Sequence, residues 1–106
     1  MKTVITSTGN KPISDFDIHF GRAGWFCIYD QKTRELNFVE NKNKDAALGA
    51  GTKSTELIAE LGARQVISGH FGPKAKDLLE RLNIQMIALD ETELKVNEII
   101  ERLENN

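Results

Sequence analysis

Gln65-Val-Ile-Ser-Gly-His-Phe-Gly-Pro-Lys-Ala-Lys-Asp-Leu-Leu-Glu-Arg-Leu-Asn-Ile-Gln-Met-Ile-Ala-Leu89 is a short apolar run, a turn, a helical stripe and a second apolar run. Val66 and Ile67 mark a buried strand over Gln65 to Ser68, and the chain then bends through Gly69-His70-Phe71-Gly72. Pro73 suits the first turn of a helix, where a missing N–H costs nothing. Ala75, Leu78, Leu79 and Leu82 fall at i, i+3, i+4 and i+7, a single apolar face. Ile84 to Leu89 is again strand-like. Two strands joined by a helical crossover pair in parallel, so this stretch specifies an α/β layer rather than a hairpin fold.

Upstream, Thr3 to Thr8 is β-branched and predicts a central first strand, ended by Gly9-Asn10 and Pro12. Trp25 to Tyr29 is a continuous apolar run suited to a strand buried on both faces, with Trp25, Cys27 and Tyr29 on one side and Phe26 and Ile28 on the other. The turn at Asp30 to Thr33 leads to Glu35 to Glu40, completing a hairpin. Asn41 to Asp45 reads as solvated surface, and Ala46 to Gly51 as a flexible connection to a helix over Thr52 to Leu61, stopped by Gly62. Downstream, Asp90 and Glu93 have capping-box spacing, and Val96, Ile99, Ile100 and Leu103 form a last helical stripe. The order β, β, β, α, β, α, β, α predicts a layered α/β domain.

A chain of 106 residues makes one domain, 1–106, because halves would be too small to bury a core. Fourteen basic against sixteen acidic residues give no basic excess to attract nucleic acid. Met1 to Thr6 is too short an apolar run for a signal peptide, and no run spans a bilayer, so the expectation is a cytoplasmic protein without a membrane partner. Cys27 is the single cysteine, which excludes an intrachain disulfide and any Cys-x-x-Cys site.

The chemistry-bearing residues gather in the loop Asn10 to Gly24, which Ile13, Phe16, Ile18 and Phe20 are expected to pin to the body. His19 lies there with Gly21, Arg22 and Gly24. Imidazole and thiolate both bind soft or borderline metals, so His19 with Cys27 is a candidate pair, against the plainer reading of Cys27 as a buried small hydrophobe. The Gly69 to Gly72 turn opens a helix whose N–H groups can face an anion, with His70 and Lys74 adding donors and charge. Gly49-Ala50-Gly51-Thr52-Lys53 is a second glycine-rich helix start without P-loop spacing. Asp15, Asp17, Asp30 and Glu40 read as solvated or capping carboxylates. No nucleophile elbow is present, and the chain does not read as an enzyme.

His19-Phe20-Gly21-Arg22-Ala23, Phe26-x-Ile28-Tyr29-Asp30, Asn41, Gly49-Ala50-Gly51 and Gly69-x-x-Gly72 together resemble the dinitrogenase iron-molybdenum cofactor biosynthesis family, over nearly the whole chain. The resemblance implies a ribonuclease H-like three-layer α/β/α fold with a five-stranded mixed sheet, strand 2 antiparallel. It implies a nitrogenase accessory factor-like module that carries or chaperones a metal-sulfur cluster of iron and/or molybdenum, with His19 as the metal contact. Gly21, Arg22, Gly49 and Gly51 map to the same loop edge, to which the residue reading adds His70. Partners would be a cluster donor or acceptor protein, the chain itself being a monomer or weak homodimer. Where some family members carry a cysteine after the motif glycine, this chain has Arg22-Ala23, so the implied cluster brings its own sulfide. The alternative is a metal-free interaction or regulatory domain of the same fold, acting through a homodimer or partner protein. A nuclease, suggested by the fold alone, would need several converging carboxylates.

Overall fold

The computed structural model describes residues 1–105. Five strands, β1 (Lys2–Ser7), β2 (Trp25–Asp30), β3 (Leu36–Glu40), β4 (Ala63–Ser68) and β5 (Gln85–Ala88), form one mixed sheet in the order β3-β2-β1-β4-β5. β2 runs antiparallel to β1 and β3, while β1, β4 and β5 are mutually parallel. Both expectations, the hairpin and the parallel crossover unit, are borne out. β1 is the central strand, and Thr3 to Ser7 are buried on both its faces.

Three helices cover the sheet: α1 (Ala50–Glu60), α2 (Pro73–Arg81) and α3 (Val96–Glu104). Period-two alternation divides the core in two. Val4, Phe26, Ile28 and Val66 pack with Ile58 of α1 and with Ala75 and Leu79 of α2. Ile5, Cys27, Tyr29 and Ile67 point the other way and pack with Val96, Ile99 and Ile100 of α3. The molecule is therefore three-layered, with α1 and α2 on one face and α3 on the other. No helix of the described residues is long and apolar enough to cross a membrane.

Four local expectations are corrected. The box that opens α3 is not Asp90 with Glu93: the chain bends at Thr92–Glu93, Phe16 N–H then donates to the Leu94 carbonyl at 2.8 Å, and Lys95, with extended backbone, is the residue from which the helix starts. Glu98 instead accepts the Lys95 N–H at 2.9 Å. Ile13 is 68% exposed and does not pin its loop, whereas Phe16 and Phe20 are buried and do. α1 begins at Ala50, two residues earlier than expected, because Gly49 turns the chain with φ 75°. Asn41, expected as solvated, is 1% exposed.

Candidate ligand cleft

Strand order reverses between β1 and β4. From the carboxyl end of β1 the chain leaves toward β2, and from that of β4 it leaves toward β5, which opens a crevice where ligands bind in α/β sheets. The loop carrying His19 leaves one strand and the loop carrying His70 leaves the other. The two are stitched into a short parallel bridge: His70 N–H donates to the Ile18 carbonyl at 2.6 Å, and Phe20 N–H donates to the His70 carbonyl at 3.1 Å. Neither imidazole takes part in this bridge. Residues 51 positions apart in sequence thus stand side by side.

The resulting cleft has a volume of about 470 Å³. His19, Gly21, Arg22, Gly49, Gly51 and His70, the six residues expected to contact a ligand, all line it, together with Lys74. Phe20, Ala50, Pro73 and Ala75 supply apolar wall, and among the described residues no carboxylate lines the cleft. Cys27 is elsewhere. It is fully buried on the α3 face of the sheet, so the His19–Cys27 pair is not formed. Burial pushes the Cys27 thiol from its ordinary 9.0 up to about 12. An acid whose folded value is raised loses stability as the unfolded form ionises first. Stability contributed by the protonated thiol is thus full below pH 9.0 and is lost as pH rises toward about 12. The Glu104 hydrogen bond likewise raises Tyr29 and adds to the loss in the same direction. Urea midpoints measured from neutral to alkaline pH should fall through this window, and Cys27→Ala should flatten the fall.

Two helix N-termini open on the cleft. Neither α1 nor α2 has a side-chain cap or an acidic residue in its first turn. Each helix start carries roughly half a positive charge on its unpaired N–H groups. With Lys74 and Arg22 the cleft presents about three positive charges, and neither side chain makes an ion pair among the described residues. Glycine makes this geometry possible. A Cβ on Gly21 would stand 2.9 Å from both Cα and N of Gly51, so only glycine lets the histidine loop lie against the start of α1.

Arg22 lines the cleft and also braces its rim. Its Nη1 donates to the carbonyls of Lys44 at 2.8 Å and Ala46 at 2.9 Å, tying the segment before α1 to the cleft rim. Asn41 does the corresponding work inside. Its Nδ2 donates to the carbonyls of Gly21 (3.0 Å) and Ala23 (2.9 Å), and its Oδ1 accepts the Asn43 N–H (3.1 Å). Ser54 Oγ donates to the same Gly21 carbonyl at 2.8 Å, so α1 and the loop share one acceptor. Asn41→Ala leaves buried groups unpaired and should cost about 2–4 kcal/mol in a denaturation experiment.

Asp17, read from the sequence as a solvated or capping carboxylate, caps the His19 N–H and also faces the His19 ring. Its side chain is only 15% exposed, against 66% for His19. Oδ1 accepts the His19 backbone N–H at 3.0 Å and lies 3.3 Å from His19 Nδ1, while Oδ2 accepts the Gly24 N–H at 3.3 Å. An aspartate two residues before a histidine is the only signal the sequence offers, and it is indistinguishable from a turn cap. Asp15 does not join it, being paired with Lys95. Among the described residues no three histidine, cysteine or carboxylate side chains converge to hold a metal ion. The carboxylate cluster a nuclease would need is likewise not formed.

Comparison with known proteins agrees with this layout. A protein described as uncharacterized from Methanocaldococcus jannaschii is 32% identical over 79 residues, covering 72% of this chain and 67% of its own. The apo form of the orange protein from Desulfovibrio gigas superposes with a TM-score of 0.91 at 28% identity, over 98% of this chain and 87% of that one. A NifB-like protein from Thermotoga, assigned to the DUF35 family, superposes with a TM-score of 0.84 at 26% identity, over 99% and 88%. The family described as dinitrogenase iron-molybdenum cofactor matches residues 1–106 in full, the histidine loop and both glycine turns included, and the chain belongs to that family.

Proposed function

We propose that this chain is a single-domain, non-catalytic module, residues 1–106, that carries or chaperones a metal-sulfur cluster of iron and/or molybdenum in the cleft. The observation that carries this reading is the convergence of two uncapped, acid-free helix N-termini and two histidines on one cleft, with no carboxylate of the described residues in its lining. Backbone N–H groups and positive charge favour an anion with acceptor atoms, which sulfide supplies. Among the described residues too few ligating side chains converge for a bare metal ion, so in this reading the cargo brings most of its own ligands. In this reading His19 provides the direct metal contact, His70 and the N–H groups at Gly51 and Lys74 face sulfide, and Arg22 fixes the rim. Membership of the iron-molybdenum cofactor family supports the choice of cargo. The ribonuclease H-like assignment belongs to the same reading, supported by the sheet order and the antiparallel β2. So do a cytoplasmic location and a donor or acceptor protein for the cluster.

Supplying the protein anaerobically with iron, molybdate and sulfide tests the reading at residue level. Amide shifts or paramagnetic losses should concentrate at 19–22, 49–52 and 70–75. Changes spread over the α3 face, or none, would favour the metal-free interaction domain.

A further inference from the structure

We infer that Asp17 is a positioning residue that locks the neutral His19 imidazole with its proton on Nδ1, leaving the Nε2 lone pair free for a metal; this rests on the proposed reading of the cleft. The carboxylate is placed independently of the ring. Asp17 N–H donates to the Thr6 carbonyl at 2.9 Å, and the Asp17 carbonyl accepts from Thr6 Oγ1, so the carboxylate is fixed to the end of β1. The Gly24 and His19 backbone N–H groups then hold its two oxygens. Such a carboxylate can only accept. A neutral imidazole with Nδ1 3.3 Å from Oδ1 must carry its proton there, because two lone pairs facing each other would repel.

The consequence is chemical. Neutral imidazole in water favours the proton on Nε2, so Asp17 inverts the intrinsic preference. Nε2 of His19 has no hydrogen-bond partner among the described residues, and the ring is two-thirds exposed along the cleft it lines. A carboxylate behind a metal-ligating histidine fixes ring orientation and makes the nitrogen a better donor. His70 has no carboxylate partner among the described residues and stands beside His19 as an internal comparison.

Long-range ¹⁵N–¹H correlation spectra of the ligand-free protein, taken where both imidazoles are neutral, read the tautomers directly. The expected result is His19 protonated on Nδ1 and His70 mainly on Nε2. In Asp17→Ala, confirmed as folded by its amide spectrum, His19 should revert to mainly Nε2–H. A wild-type His19 carrying its proton on Nε2, or an Asp17→Ala protein with unchanged tautomer, would overturn the assignment. If the variant does not fold, the wild-type comparison of His19 with His70 decides alone. With a cluster assembled from iron, molybdate and sulfide as probe, Asp17→Ala should bind ~10–100-fold more weakly. Equal binding would overturn the positioning role, whereas a wild-type protein that never loads would remove the carrier reading and leave the tautomer result standing.

Discussion

His19→Ala abolishes retention of a metal-sulfur cluster while leaving the fold unchanged: this is the largest expected effect on binding. In the proposed reading His19 is the direct metal contact, and of the two imidazoles lining the cleft it is the one with a carboxylate, Asp17, 3.3 Å from its Nδ1. Losing an outer-shell partner typically weakens metal binding ~10–100-fold, and losing the contact itself should exceed that. Stability should move by less than about 0.5 kcal/mol, as for exposed positions generally. The bridge between the two histidine loops uses backbone groups that alanine retains. Size-exclusion of the loaded protein with metal analysis checks the first half, and urea denaturation the second. Retention of the cluster by a folded His19→Ala protein would show that His19 is not the contact.

Gly21→Ala is expected to damage fold and cleft together. The added Cβ would meet backbone atoms of Gly51 at 2.9 Å, and backbone at a helix start cannot move aside as a side-chain tip can. Overpacking of this kind costs about 1–3 kcal/mol. The strain falls on the Gly21 carbonyl as well, which accepts from both Asn41 and Ser54. Either the loop lifts from α1, or α1 shifts and carries its free N–H groups away from the anion position. Both lower the urea midpoint and weaken cluster binding. Gly49→Ala, by contrast, meets no atom within 4 Å and suffers only from its φ of 75°, so about 1 kcal/mol is expected. A Gly21→Ala protein as stable and as well loaded as the parent would mean that the close approach is not required.

Most of the fold was legible because its signals are local. The Val66-Ile67 run, Pro73, the Ala75–Leu82 stripe and the β-branched first strand each report their own element, and the crossover rule then orients the strands. The start of α3 lies at Lys95 rather than Asp90 because a long-range bond, Phe16 N–H to the Leu94 carbonyl, holds the residue just before the helix. No local pattern encodes such a bond. The same limit applies in the cleft. The glycine turns and His19 stand out as residue types, yet the burial of Asn41 among the Gly21, Ala23 and Asn43 backbone groups is a tertiary fact, and a polar run around it disguised it as surface. Asp17 was hidden for a related reason, since its distinction from Asp15 is its 15% exposure and its place behind an imidazole. For Cys27 the sequence left two readings open, a partner for His19 or a buried small hydrophobe, and its burial among the residues facing α3 decides for the second.

The most direct test of the carrier account is anaerobic purification of the protein from a host that assembles such clusters, followed by metal and sulfide analysis and a visible absorption spectrum. The account predicts iron or molybdenum with inorganic sulfide, near one cluster per chain, and a coloured protein. A colourless, metal-free protein that also fails to take up a supplied cluster would contradict it and leave the interaction domain as the function of this fold.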